Sequence, residues 1–233
     1  MDVCYEDNHI IIINKKPGEI VQGDKTGDTP LSESLKLWLK ERYNKPGNVF
    51  VGVTHRLDRP VGGLVVFAKT SKALTRLNEM FREGRVHKTY LAIVTGCPAE
   101  SEGLLINHLE SNPANNKTYV RNQPGERTRE ARLKYRVLAK GDRFSLVKVE
   151  LLTGRKHQIR AQLAAIGCPI RGDLKYGAKR SNPDGSISLF AHHIEFIHPV
   201  SKELISLTAP LPASDTLWKS LMNIAENNQD GQE

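Results

Sequence analysis

Cysteine is scarce in this chain of 233 residues: Cys4, Cys97 and Cys168 stand far apart, odd in number and without a CxxC pair. That excludes a disulfide framework and a zinc knuckle and fits a reducing compartment. Long apolar runs are missing too. A segment such as Ile10 to Ile13 is far short of the roughly 20 residues that cross a bilayer, and the start, Met1-Asp2-Val3-Cys4-Tyr5-Glu6-Asp7, lacks the basic and apolar regions of a secretory signal. A cytoplasmic protein without a membrane segment is expected. His192, His193 and His198 have no carboxylate or cysteine at ligand spacing, so no metal is assigned. No internal repeat is present. Acidic residues are in deficit, 26 against 34 Lys and Arg, which leaves a net charge of +8 and a pI near 9.4. A basic excess of this size favours a polyanionic partner, nucleic acid first.

The apolar pattern sets the organisation. His9 to Asn14 reads as a buried strand ended by Lys15-Lys16-Pro17-Gly18. Thr29 as N-cap, Pro30 at the first helical position and Leu31, Leu35, Trp38 and Leu39 at helical spacing predict a helix that stops before Lys45-Pro46-Gly47. Strands are predicted at Val49 to Val53 and Leu64 to Ala68, with Asp58 in the loop between them. Ser71 is expected to cap a helix carrying Leu74, Leu77 and Phe81, with Gly84 as its stop. His87 to Val94 reads as a strand and Glu110 to Glu130 as an exposed connection or hairpin. Arg132 to Val137 and Phe144 to Leu152 form a strand pair, followed by a helix from about Lys156 to Ile166 and strands at Ile187 to Ile197 and Leu204 to Leu207. Leu217, Trp218, Leu221 and Ile224 line a last helix. Short turns between strands cannot carry parallel crossovers, so the fold class is α+β, a mixed, mostly antiparallel sheet with flanking helices. One domain is expected over 1–225, with a polar tail over 226–233 and no small basic RNA-binding domain of the S4 type ahead of it.

Two clusters concentrate the chemistry. Thr54-His55-Arg56-Leu57-Asp58-Arg59-Pro60-Val61-Gly62-Gly63 sets a carboxylate among two arginines and a histidine, beside glycines that let another molecule approach the backbone. Neighbouring cations favour an ionised acid, which suits a nucleophile or base, although an isolated Arg-Leu-Asp-Arg is more often a salt bridge pinning a turn. Thr153-Gly154-Arg155-Lys156-His157-Gln158-Ile159-Arg160 lies where a strand turns into a helix, and a helix start with two cations is a seat for an anion. Arg82, Arg85, His87 and Lys88 with Tyr90 add basic residues beside an aromatic, a combination that contacts a nucleic-acid backbone and stacks a base.

Taken together these runs resemble the RluA-type family of RNA pseudouridine synthases. His55 to Leu64 resembles the signature around the family's active-site aspartate, Asn14 to Gly18 its early lysine-proline-glycine turn, and Lys88-Thr89-Tyr90 the segment with its active-site tyrosine. Gly154 to Arg160 resembles its third motif, and Gly172-Asp173, Lys175-Tyr176-Gly177 and Phe196-Ile197-His198-Pro199 two later segments. Gly62 stands where the family usually has Ser, and Phe190 where it often has His.

The resemblance implies isomerisation of specific uridines in ribosomal or transfer RNA to pseudouridine, without a cofactor and with the target base flipped out. By analogy Asp58 is the nucleophile or base, Tyr90 stacks on the uracil, and Arg160 pairs with Asp58 and keeps it ionised. Arg56, His55, Arg155, Lys156, His157 and Lys88 are the expected RNA-binding residues, and a monomer is expected. Two other readings compete: an RNA-binding factor without turnover, and a nucleosidase, which would need a second acid such as Asp173.

Overall fold

A computed structural model describes residues 1–24, 26–213 and 215–230, and divides the chain into two compact units. The first comprises Met1–His87 and Ala191–Ala209. Its strands β1 (Val3–Glu6) and β2 (Ile10–Lys15) form an antiparallel pair, and β2 pairs in turn with β4 (Gly62–Ala68), which also carries the two-residue β3 (Gly52–Val53). Ile10 to Ile13 and every residue of β4 are buried, which is why these strands read as unbroken apolar runs. The later strands β10 (Leu189–Ile197) and β11 (Leu204–Thr208) are antiparallel partners.

Gly63 is required by a close approach of backbone. Its φ is +112°, and a Cβ there would stand 2.3 Å from the carbonyl oxygen of Ala191 in β10. The backbone that comes close to Gly63 is the chain's own.

The helix α1 (Leu31–Arg42) has Pro30 itself as its cap, with no side-chain bond. Its first amides instead donate to the carbonyls of Ile20 (2.7 Å) and Val21 (3.3 Å), so the capping expected from Thr29 is supplied by main chain. The helix α2 (Ser71–Arg82) is capped by Thr70, whose hydroxyl accepts from Ala73 N–H, rather than by Ser71. It ends as predicted at Gly84: φ is +71°, Gly84 N–H donates to Phe81 O and Arg85 N–H to Met80 O.

The second unit comprises Lys88–Phe190 and Pro210–Glu233. Its strands β5 (His87–Thr95), β6 (Glu102–Asn112), β7 (Lys117–Arg121), β8 (Thr128–Lys140) and β9 (Phe144–Leu151) are ordered β5-β9-β8-β6-β7, all antiparallel. The polar stretch 110–130 is thus mostly strand, a β6–β7 hairpin that returns through β8. The helix α3 (Gln158–Ala165) starts two residues later than predicted, and Gly167, φ +79°, follows its end. The helix α4 (Thr216–Asp230) carries the polar residues from Glu226 to Asp230 as helix, and it buries Ala225 in place of the half-exposed Ile224. Among the described residues no helix is long and apolar enough to cross a membrane.

Candidate active site

In the first unit the Asp58 loop leaves β3 and enters β4. Past Val53 side chains replace the ladder: Thr54 Oγ1 donates to Val66 O (2.6 Å), and Val66 N–H donates to His55 Nε2 (3.1 Å). Accepting there requires the unprotonated nitrogen. The His55 ring also lies 4.7 Å from Phe81 of α2, so this residue fastens the loop to β4 and α2. Leu57 is buried, Val61 N–H closes a turn onto Asp58 O (3.0 Å), and Arg56 is exposed. The Arg59 guanidinium is committed to the Asp28 carboxylate and the Thr26 hydroxyl.

The loop's main fastening is a residue that the sequence presents as part of a surface turn. Lys15, the last residue of β2, is 1% exposed, and its Nζ donates to the carbonyls of Lys16 (2.9 Å), Arg59 (3.2 Å) and Val61 (2.7 Å). Gly18 N–H adds a bond to Arg59 O (2.8 Å). Two carbonyls of the loop that follows Asp58 are thereby pinned to one buried cation. Burial pushes the Lys15 ammonium down to about 8, against the carboxylates of Glu19 and Asp58, which pull it up.

This depressed value has a testable consequence. Between pH 8 and 10.5 the unfolded chain holds the Lys15 proton and the folded chain does not, so stability rises with pH across that window. Below pH 8 both states are protonated and the full burial penalty stands, about 3 kcal/mol. In urea titrations at pH 7 and pH 10 the wild type is expected to gain stability relative to Lys15→Met, which lacks this proton. Parallel behaviour of the two proteins would remove Lys15 as the source.

In the second unit Tyr90 of β5 is 7% exposed, and burial pushes the Lys88 ammonium below its ordinary value. Arg155 and Lys156 are exposed and precede α3. Gln158 ties this segment down: its Oε1 accepts from Arg155 N–H (3.0 Å) and Thr153 Oγ1 (2.8 Å), and its Nε2 donates to Arg132 O (3.0 Å). His157 is buried in the left-handed region, φ +51°, which a non-glycine residue adopts only where its surroundings impose it.

Those surroundings are a polar cluster. Tyr176, in the 3₁₀ turn Leu174–Tyr176, accepts Thr118 N–H of β7 at its hydroxyl (2.8 Å) and lies 2.9 Å from His157 Nδ1. Burial pushes the Tyr176 phenol up, while Thr118 N–H and Arg160 draw it down. Arg160 grips Asp173 with a two-pronged fork, Nε to Oδ2 at 2.7 Å and Nη2 to Oδ1 at 2.9 Å, and its guanidinium lies 5.0 Å from the Tyr176 ring centre. In the sequence Tyr176 stood as a member of a later family segment, and Asp173 as that and as the second acid a nucleosidase would need; their spacing of 13 and 16 residues from Arg160 gave no sign of the pairing.

Comparison with known proteins gives concordant results. The sequence model of the RNA pseudouridylate synthase family matches residues 9–165. An uncharacterised RNA pseudouridine synthase of Bacillus subtilis (strain 168) is 35% identical over 216 residues, 91% of this chain and 69% of that protein. Ribosomal large subunit pseudouridine synthase C of Vibrio cholerae is 34% identical over 222 residues, 91% of this chain and 66% of that one. The chain thus spans about two thirds of the length of these relatives. In three dimensions it is similar to human RNA pseudouridylate synthase domain containing 4, with a TM-score of 0.77 over 91% of this chain and 89% of that one at 23% identity, a likeness of fold.

Proposed function

Because the chain belongs to the RluA-type family of RNA pseudouridylate synthases and is therefore an isomerase of RNA, we propose that it converts specific uridines of ribosomal RNA to pseudouridine, with Asp58 as the reacting carboxylate. In this reaction the bond from ribose C1′ to uracil N1 breaks, the base turns, a bond from C1′ to C5 forms, N1 takes up a proton and the C5 proton leaves. No electrons are exchanged with an external carrier and no cofactor is called for. The observation that carries the reading is the immobilised loop around Asp58, held by Lys15 at the carbonyls of Arg59 and Val61. Catalysis at a base requires a carboxylate fixed in place beforehand, since misplacement by an ångström is heavily penalised.

The target uridine turns out of its stack, at a few kcal/mol, least in a loop or bulge. Tyr90 stacks on the uracil and takes part in loss of the C5 proton, Arg160 supplies the cation that keeps the reacting carboxylate ionised, and Arg56 grips the displaced nucleotide. His55, Lys88, Arg155, Lys156 and His157 serve the RNA around it, His55 by holding the loop.

The test is incubation of the purified protein with total RNA from cells lacking it, followed by mapping of pseudouridine through reagent-induced reverse-transcription stops. New stops at defined positions of ribosomal RNA are expected; stops confined to transfer RNA would move the substrate class. Release of free uracil would point to hydrolysis, and unchanged maps with intact RNA binding to a factor without turnover.

A further inference from the structure

The first unit holds a second feature that the chemistry at Asp58 does not use. A cavity of about 150 Å³ lies between the end of α2 and the turn joining β10 to β11, lined by Arg76, Glu79, Met80, Arg85, Pro199 and Lys202. Three cations and a single carboxylate face this space. Its floor is preset: Arg76 Nη1 donates to Pro199 O (2.8 Å), and Lys202 Nζ lies 3.4 Å from the same oxygen. Lys202 is held in the left-handed region, φ +69°, a conformation strained for a lysine and one that glycine would adopt freely.

Local needs explain part of this arrangement. Arg82 and Arg85 answer the negative end of α2 and meet Glu79 and Glu83. They do not account for Arg76, a turn and a half before the helix end, or for Lys202, which comes from another segment altogether. Glu79 and Glu83 offset Arg85, whereas Arg76 and Lys202 converge on the carbonyl of Pro199, a neutral acceptor, so their like charges repel until an anion joins them. The location adds to the case: Phe81, next to Met80, carries the His55 ring of the Asp58 loop.

We propose that Arg76, Arg85 and Lys202 form a phosphate-binding pocket that anchors the RNA backbone beside the Asp58 loop. The proposal rests on the reading of the chain as an RNA-modifying enzyme and supplies it with a substrate contact outside the reacting centre. A phosphodiester anion fits the two guanidinium groups and the ammonium, with Met80 and Pro199 against the sugar side.

The experiment measures binding of a fluorescein-labelled oligouridylate against salt concentration, for the wild type, Lys202→Gly, Arg85→Gln, and Lys219→Gln as a control on an exposed lysine of α4. Each neutralised phosphate of a single strand contributes about 0.7 to the slope of log K against log salt. Lys202→Gly is expected to reduce the slope by about that amount while its melting temperature stays the same or rises, because the strain is relieved; Arg85→Gln reduces the slope likewise and Lys219→Gln leaves it unchanged. Equal slopes in all four proteins overturn the proposal. If inorganic phosphate raises the melting temperature of the wild type but not of Lys202→Gly, and the slopes are equal, the pocket takes free phosphate and the RNA assignment falls. Binding is read without turnover, so a protein that makes no pseudouridine yet shows the slope change loses the synthase reading and keeps the pocket.

Discussion

Asp58→Asn is expected to abolish pseudouridine formation while leaving the fold in place. Asparagine keeps the size and shape of the side chain and removes its charge and basicity. The turn around it is made of main chain, with Val61 N–H on Asp58 O and Lys15 Nζ on the two carbonyls that follow, and none of those bonds involves the carboxylate. The rate is expected to fall by about 10²–10⁴-fold if the group acts as a base, and further if it forms a bond to the sugar. The melting temperature is expected to move by no more than about 2–4 °C, the equivalent of 1 kcal/mol in a domain of this size. A second reading comes from Lys15: the Asp58 carboxylate pulls its ammonium up, so in Asp58→Asn the Lys15 titration, followed by NMR of Nζ, moves to lower pH. An Asp58→Asn protein that still makes pseudouridine at the wild-type rate would end the assignment of Asp58.

Much of the frame around this loop was legible in the residues, and the parts that were not share a cause. Runs and stops are local, so Ile10 to Ile13 marked β2, and Gly84 and Gly167 marked helix ends where a left-handed residue is needed. Thr70 and Ser71 are adjacent hydroxyls that can both cap, and which one does depends on where the chain is still extended: Thr70 has φ −138° and ψ 151°, the strand exit of β4. The 110–130 stretch read as an exposed connection or a hairpin without deciding between them, because strands of a hairpin with one open face carry as many polar residues as a connection does. What no local pattern reveals is a partner far along the chain. Lys15 sits in a Lys-Lys-Pro-Gly run that reads as a solvated turn, and only carbonyls 44 and 46 residues away make it a buried cation. Arg59 stood beside Asp58 in sequence, yet its guanidinium goes to Asp28, 31 residues earlier.

Asp173→Ala is expected to destabilise the chain by about 3–5 kcal/mol, since it leaves the buried guanidinium of Arg160 without the carboxylate that receives two of its donors. The two side chains are 7% and 1% exposed, so solvent does not stand in for the lost partner. Asp173→Asn keeps an acceptor but not the charge and is expected to fall between wild type and alanine. The informative variant is the double one. In Arg160→Met with Asp173→Leu both charges leave together, the apolar replacements fill the space, and most of the lost stability is expected to return, as replacement of buried pairs commonly does. Activity is not expected to return with it. An ion pair kept only for folding would be replaceable by methionine and leucine without loss of turnover; one that positions Arg160 for the reacting uridine would not. Urea unfolding at pH 7 supplies the first quantity and pseudouridine yield per enzyme the second. A double variant that is both stable and active would reduce the Arg160–Asp173 pair to a structural fastening, whereas a stable and inactive one assigns the guanidinium to the reaction, with the Tyr176 ring 5.0 Å away and the His157 hydrogen bond behind it as the supports that hold its plane.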